Sequence, residues 1–246
     1  MKHGTWQILL GIVLIGTSVL LYSAQISIFK NPHESFFLLF QDLAFVPIHF
    51  LLITLIVDRL LILREKKALV NKLNMVIGIF FSEMGIDLLK KFVAHDPGME
   101  NKKNNFLIAN DWTDRLFSET IKNMSTVPLH VVDIGSSLPG FKTFLISKKA
   151  FLLQLLENPS LLEHATFSEL LLAIFHLAEE LEMRDNVSQL FPADEKHLAG
   201  DMERIYTILV AEWLAYMKHL KREYPYLFSL AMRKNPFDAD ASVIIQ

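Results

Sequence analysis

The sequence predicts an all-α protein in which an N-terminal two-helix transmembrane hairpin precedes a cytoplasmic helical bundle. Three observations predict it. Hydrophobic residues make up 52% of the 246 residues and charged residues 21%, with a mean hydropathy of +0.32, more apolar than an ordinary soluble chain. The apolar residues gather in two long runs near the N-terminus, each of bilayer length. After those runs, apolar positions recur every three to four residues with charges between them, the pattern of amphipathic helices.

The same totals set aside several function classes. Lysine and arginine total 24 against 27 aspartates and glutamates, a net charge of -3, so the broad positive field of a nucleic-acid binder is missing and nucleic acid is not an expected partner. With no cysteine, a disulfide framework, a thiolate zinc site, an iron–sulfur cluster and a thiol nucleophile are excluded. Oxygen and imidazole ligands remain.

The first run, Ile8 to Ala24, holds 17 residues without a charge and extends to Phe29. At about 1.5 Å per residue, residues 8–29 match a hydrocarbon core of ~30 Å. The second, Phe36 to Val57, is 22 residues long and reaches Leu63 if Asp58 and Arg59 snorkel to the surface. Residues 1–63 therefore read as the hairpin. Arg59, Arg64, Lys66, Lys67 and Lys72 follow the second span, whereas the connecting loop from Gln25 to Ser35 carries only Lys30. The positive-inside rule then puts both the N-terminus and the bulk of the chain in the cytoplasm. The rival reading is a cleaved signal peptide ending at Tyr22-Ser23-Ala24, against which stands the bulk of Tyr22 at the minus-three position.

Residues 64–94 read as a juxtamembrane helix that continues the second span, with Leu69, Leu73, Val76, Phe80, Met84 and Leu89 at helical spacing. The polar stretch His95 to Asn105, with Pro97 and Gly98, reads as an exposed linker and the main boundary. A cytoplasmic domain then fills 106–246. Its first helix starts after Asn110 or Asp111 and runs through Trp112, Leu116, Phe117 and Ile121. Val127 to Gly140 is the non-helical stretch, a β-branched piece followed by turn residues, and one strand makes no sheet. Helices follow over Thr143–Leu156, over Thr166–Met183 with Thr166 and Glu169 as a capping box, and from Asp194 to Glu223, bent at Gly200 and stopping before Pro225. A short helix from Tyr226 to Met232 ends at Asn235-Pro236. Helices joined by short loops pack as a bundle.

Four constellations bear chemistry. Asp42 and His49 lie seven residues apart and so share one face of the second span, with Pro47 between them. An intramembrane ionisable pair reads as a proton path or an interhelical lock. A potassium channel is disfavoured, because the 11-residue loop has no pore helix and no TVGYG-like filter. Second, Gly135 to Thr143 resembles a phosphate-binding loop with one extra residue, Phe141, before Lys142. The insertion turns the lysine away from a phosphate, so the stretch reads as a turn that caps a helix.

Third, His176, Glu179 and Glu180 stand at i, i+3 and i+4 as candidate metal ligands, and His197, Asp201, Glu212 and His219 follow on the next helix. Carboxylate-bridged di-iron bundles use Glu-x-x-His twice, whereas here the order is His-x-x-Glu once. The wheel puts His176 with Glu169, Ala173 and Glu180, opposite Leu170, Ile174, Leu177 and Leu181, so the stripe reads as facing solvent or a partner. His197 and His219, roughly 33 Å apart along one helix, cannot share an ion. Fourth, Lys218, Lys221, Arg222, Tyr224, Tyr226, Phe228, Arg233 and Lys234 form an aromatic-basic end suited to anionic headgroups or a partner. The competing reading packs Tyr226, Leu227, Leu230 and Ala231 into the bundle and leaves the bases solvated.

Lys72 to Gly85 (KLNMVIGIFFSEMG), Leu155 to Leu181 and the YPYLFSLAMRKNPF segment resemble an uncharacterised family of bacterial membrane proteins with two N-terminal spans. The resemblance implies a prokaryotic inner membrane and transfers no catalytic residue or cofactor. The sequence thus predicts a membrane-anchored signal-relay or scaffolding protein without catalytic activity and without a cofactor. Its partners are the lipid bilayer and either another protein or a second copy of the chain. Two alternatives stand beside it: a metal-binding helical-bundle enzyme or sensor on His176, Glu179 and Glu180, and a small transporter or accessory subunit using Asp42 and His49.

Overall fold

The computed structural model describes residues 2–30, 32–132 and 134–244, every regular element of which is helical. The chain divides into two compact units, Met1–Lys66 and Lys67–Gln246. In the first, α1 (Lys2–Phe29) precedes α2 (Pro32–Phe80), which continues into the second unit. Lys30 closes α1 in the left-handed region at φ 51°, its N–H donating to the Ile26 carbonyl at 3.0 Å, a standard helix stop. Apolar side chains here stay open: Ile15 is 68% exposed, Phe40 74% and Phe50 71%. The hydroxyls of Thr17 and Ser23 donate to the carbonyls of Val13 and Val19, each at 2.8 Å, which satisfies them within the helix. Among the described residues, one helical stretch, His33–Ala94, holds a window long and apolar enough to cross a membrane, and Ile12–Ile28 is a shorter apolar helix.

The second unit is built around α8 (Pro192–Glu223). Pro192 presets its first turn, Asp194 and Glu195 lie at its positive end, and Lys221 and Arg222 at its negative end. Against α8 pack α3 (Ile86–Ala94), α5 (Asp114–Lys122), α6 (Ile134–Leu156), α7 (Ala165–Glu182) and α9 (Pro225–Arg233); α4 (Met99–Lys102) is a single turn. Trp213, Tyr206, Phe80, Phe92, Phe141 and Phe167 are almost fully buried at the centre. The geometric boundary at Lys66/Lys67 lies upstream of the polar stretch 95–105, because Leu73, Ile77, Phe80, Met84 and Leu88 bury into the second unit's core.

Several sequence expectations change. The stretch 95–105 is no exposed linker: the Asp96 side chain is fully buried, accepts from Gly98 N–H at 2.9 Å and pairs with Lys102 at 2.9 Å. Nor is Gly135 to Thr143 a loop. It lies inside α6, where Ile134, Leu138, Phe141 and Leu145 are all buried, and that burial outweighs the poor helix propensity of Gly135, Pro139 and Gly140. Its backbone N–H groups serve the helix, so no phosphate cradle forms. Among the described residues no strand forms before it; Asp133 lies outside them. The α7 cap is the His164 ring, whose Nδ1 accepts from Phe167 N–H at 3.2 Å, and α8 passes Gly200 without a break.

Between α2 and α3 the chain makes one π-turn, Phe81–Gly85, a widening common at functional sites. Glycine is required at its end: a Cβ at Gly85 would lie 2.6 Å from Phe81 Cδ1 and 2.8 Å from Phe80 Cε1, both on rings held in the core. Gly85→Ala gains about 1 kcal/mol of helix propensity but forces overpacking that costs about 1–3 kcal/mol. Chemical unfolding is therefore expected to show a net loss of up to about 2 kcal/mol.

Candidate metal centre

Residues four apart on a helix stack on one face, and α7 and α8 each present such a pair. His176 and Glu180 project from α7, with Arg184 one turn further, and His197 and Asp201 from α8. The two helices pack together and bring the pairs face to face. Glu180 Oε1 lies 3.0 Å from His197 Nε2 and accepts from Arg184 Nη2 at 2.9 Å. Glu180 Oε2 lies 3.6 Å from His176 Nε2, and Asp201 Oδ2 3.6 Å from His197 Nε2. One ligand atom from each of His176, Glu180 and Asp201 lies within 4.8 Å of the others.

Burial orders the cluster. The side chains of Glu180 and Asp201 are 18% and 9% exposed, those of His176 and His197 63% and 55%. Two carboxylates thus form a floor beneath two solvent-facing imidazoles. Glu180 Oε2 and Asp201 Oδ2 are both sealed from solvent without a hydrogen-bond donor, a costly state for a carboxylate oxygen. Arg184, held charged first by Asp194 and then by Glu180, offsets one negative charge, and Arg204 Nη2 stands 3.4 Å from Asp201 Oδ1. In a tetrahedral site with bonds of about 2.0–2.1 Å, neighbouring ligand atoms are about 3.4 Å apart, close to the two 3.6 Å spacings observed. His176, Glu180 and Asp201 offer one nitrogen and two oxygens that converge, and His197 Nε2, near Glu180 and Asp201, stands beside them as a fourth donor. Nitrogen and oxygen donors of this kind suit zinc, manganese or ferrous iron.

The structure gathers His176 and Glu180 as the sequence suggested but replaces Glu179. That residue, about 100° around the helix from Glu180, faces Lys149 at 3.7 Å. Asp201 and His197, which the sequence placed only as following on the next helix, stand where Glu179 was expected; the signal was the second His-x-x-x-acid pair. On α8, Asp201, Glu212 and His219 are buried. Desolvation, then Arg222, lowers the His219 pKa, which favours a neutral ring against Tyr224.

Most bases of the aromatic-basic end are engaged within the chain. Lys218 donates to Ser118 Oγ at 2.8 Å, Lys221 to the carbonyls of Asn110 and Trp112, Arg222 to Glu223 and Arg233 to the Val243 carbonyl at 2.6 Å. Tyr224 packs on His219 and Phe228 is buried, whereas Tyr226 and Lys234 are exposed. The packing reading holds for Ala231, which lies against the core, but not for Tyr226, Leu227 and Leu230, which are exposed while Phe228 fills the core. In the first unit, Asp42 Oδ2 accepts from the Tyr22 hydroxyl of α1 at 3.2 Å, and His49 lies by the Phe45 ring at 6.1 Å.

The family described as "Uncharacterized protein MJ1433, C-terminal helical domain" matches residues 69–233, and its companion, the MJ1433 N-terminal helical domain, residues 1–61. The chain belongs to the MJ1433 family. Uncharacterized protein MJ1433 of Methanocaldococcus jannaschii is 43% identical over 248 residues, covering all of this chain and 98% of the relative. That relative is archaeal, so the bacterial setting inferred from resemblance has no support in it. No solved structure matches. The two MJ1433 domains abut at residues 61 and 69, on either side of the geometric division at Lys66/Lys67.

Another buried acid in this MJ1433-family chain joins the start of α7 to α8. Glu212 Oε1 accepts from the Thr166 hydroxyl at 2.5 Å, while its Oε2 is sealed without a donor, 3.9 Å from His164 Nε2. Desolvation raises the Glu212 pKa, against the lowering pull of Thr166 and His164. An acid whose folded pKa lies above its unfolded value of about 4.3 contributes most below that value and loses stability as pH rises through the folded pKa. Unfolding titrations are expected to show this decline in wild type and its disappearance in Glu212→Gln, which keeps an acceptor for Thr166.

Proposed function

We propose that this protein is a membrane-anchored helical relay that senses a divalent transition-metal ion, with His176, Glu180, His197 and Asp201 as its ligands. The observation that carries this reading is the pair of sealed, donorless oxygens on Glu180 and Asp201 below two open imidazoles. An ion there satisfies both oxygens and ties the C-terminal half of α7 to the N-terminal half of α8. Because α8 also packs on α3, α5, α6 and α9, occupancy is felt across the bundle, which is the two-state element a relay needs.

The first unit serves as the anchor, a hairpin with both ends in the cytoplasm. Supporting this are the open apolar side chains of residues 12–63, their length and the five basic residues after the second run. The Tyr22–Asp42 bond favours an interhelical lock over a transport path for Asp42.

Metal analysis of the full chain, extracted from membranes without chelators, tests the ion. About one equivalent of zinc, manganese or iron is expected, falling below a tenth in Asp201→Asn; wild type below a tenth, or equal loading in the variant, overturns it. A reporter fused at Gln246 tests the anchor, and a position outside the cytoplasm or release of the untagged chain by alkaline carbonate overturns it.

A further inference from the structure

On the second unit, away from the His–carboxylate cluster, a cavity of about 600 Å³ opens between the π-turn, α3, α8, α9 and the segment 241–244. Phe81, Ile86, Trp213, Met217, Leu220 and Leu230 contribute its apolar lining. Such a volume is ample for a small ligand, and mostly apolar walls with a few polar groups are usual for such sites. The Tyr216 phenol stacks on Phe81 at 5.3 Å and reaches Gly78, where a Cβ would be 2.9 Å from its hydroxyl.

The polar groups on this lining are unbalanced. Lys90, Arg233 and Lys234 face one acid, Asp87, and among the described residues neither Lys90 nor Lys234 has an ion-pair partner. Arg233 binds the carbonyls of Ser229 and Val243, so it also holds the segment that closes one side. The excess of two positive charges matches a phosphate monoester, which carries about −1.5 to −2 near neutral pH.

We propose that this cavity binds a single-chain alkyl or isoprenoid monophosphate, its chain along the accessible Ile86, Leu227 and Leu230 above the buried Trp213 and its phosphate on Lys90 and Lys234. The occupancy does not depend on the metal reading, and the two fail separately. The full chain in phosphatidylcholine nanodiscs is titrated with hexadecyl phosphate, farnesyl phosphate, hexadecanoate, hexadecanol and inorganic phosphate, and its thermal unfolding is followed. Saturable stabilisation by one or both alkyl phosphates is expected, and which of them binds more tightly identifies the chain type. Hexadecanoate is expected to bind more weakly, and hexadecanol and inorganic phosphate to give no saturable shift.

The double variant Lys90→Glu/Lys234→Glu is expected to bind at least tenfold more weakly, while Lys122→Glu/Lys196→Glu, exposed elsewhere, matches wild type. Leu230→Trp, at an exposed edge of the cavity, is expected to lose the shift while melting normally without ligand. If either binding variant fails to fold, the other decides. Equal stabilisation by hexadecanol, equal binding by Lys90→Glu/Lys234→Glu, or no saturable shift with either phosphate overturns the proposal.

Discussion

Replacing Trp213 with alanine is expected to lower the unfolding free energy by about 3–5 kcal/mol, the usual cost of removing a buried large aromatic. Trp213 is 1% exposed and lies on α8, the helix on which most of the second unit packs. Its ring meets Phe237 at 5.1 Å, and Phe237 stacks in turn on Phe106 at 4.6 Å. Asn235 fixes the same latch: its Nδ2 donates to the Phe106 carbonyl at 2.8 Å, and its Oδ1 accepts from Phe237 N–H at 3.0 Å. The deletion therefore weakens the attachment of the C-terminal segment as well as the core. Trp213→Phe keeps a ring against Phe237 and is expected to recover more than half of the loss. Chemical unfolding of both variants checks this; a cost below about 1 kcal/mol for alanine is incompatible with a Trp packed as a core residue.

Loading the His176–Glu180–His197–Asp201 site is expected to have the other large effect. At a free ion concentration a thousandfold above Kd, linkage gives about 4 kcal/mol of stabilisation. A chain of this size melts roughly 2–4 °C higher per kcal/mol, so the expected rise is roughly 8–16 °C. Asp201→Asn should abolish the rise. In metal-free protein the same substitution should be neutral or mildly stabilising, because it replaces a sealed, donorless carboxylate oxygen with an uncharged group. The opposite signs with and without ion separate a metal site from an internal His–carboxylate network, whose disruption would cost stability in both conditions. Calorimetry of both forms, with chelator and with added zinc or manganese, gives the answer.

Much of the helical content was legible because the apolar period is a local property of the chain. Helix α7 shows it: Leu170, Ile174, Leu177 and Leu181, which the wheel sets opposite its polar stripe, are buried. Local rules failed where distant packing outweighed them. Gly135, Pro139 and Gly140 read as a turn, yet they are helical because Ile134, Leu138 and Phe141 find a core to enter. The His95 to Asn105 stretch read as solvated, yet Asp96 is buried because Lys102, 6 residues on, supplies its counter-charge.

The candidate site divides in the same way. His176 and Glu180 were readable as one helix face, since a 3.6-residue turn fixes which side chains share it. Their meeting with His197 and Asp201 was not, because it depends on the register at which α7 lies against α8, and that register is set by the fit of many side chains across the interface. What the sequence by itself determined is the all-helical character, the two apolar runs and the face each amphipathic helix buries, all consequences of spacing along one chain. Tertiary structure alone decided the partner of each buried charge, the π-turn at Phe81–Gly85 and the cavity around Trp213. Those arise from contacts between residues far apart in sequence, about which local periodicity carries no information.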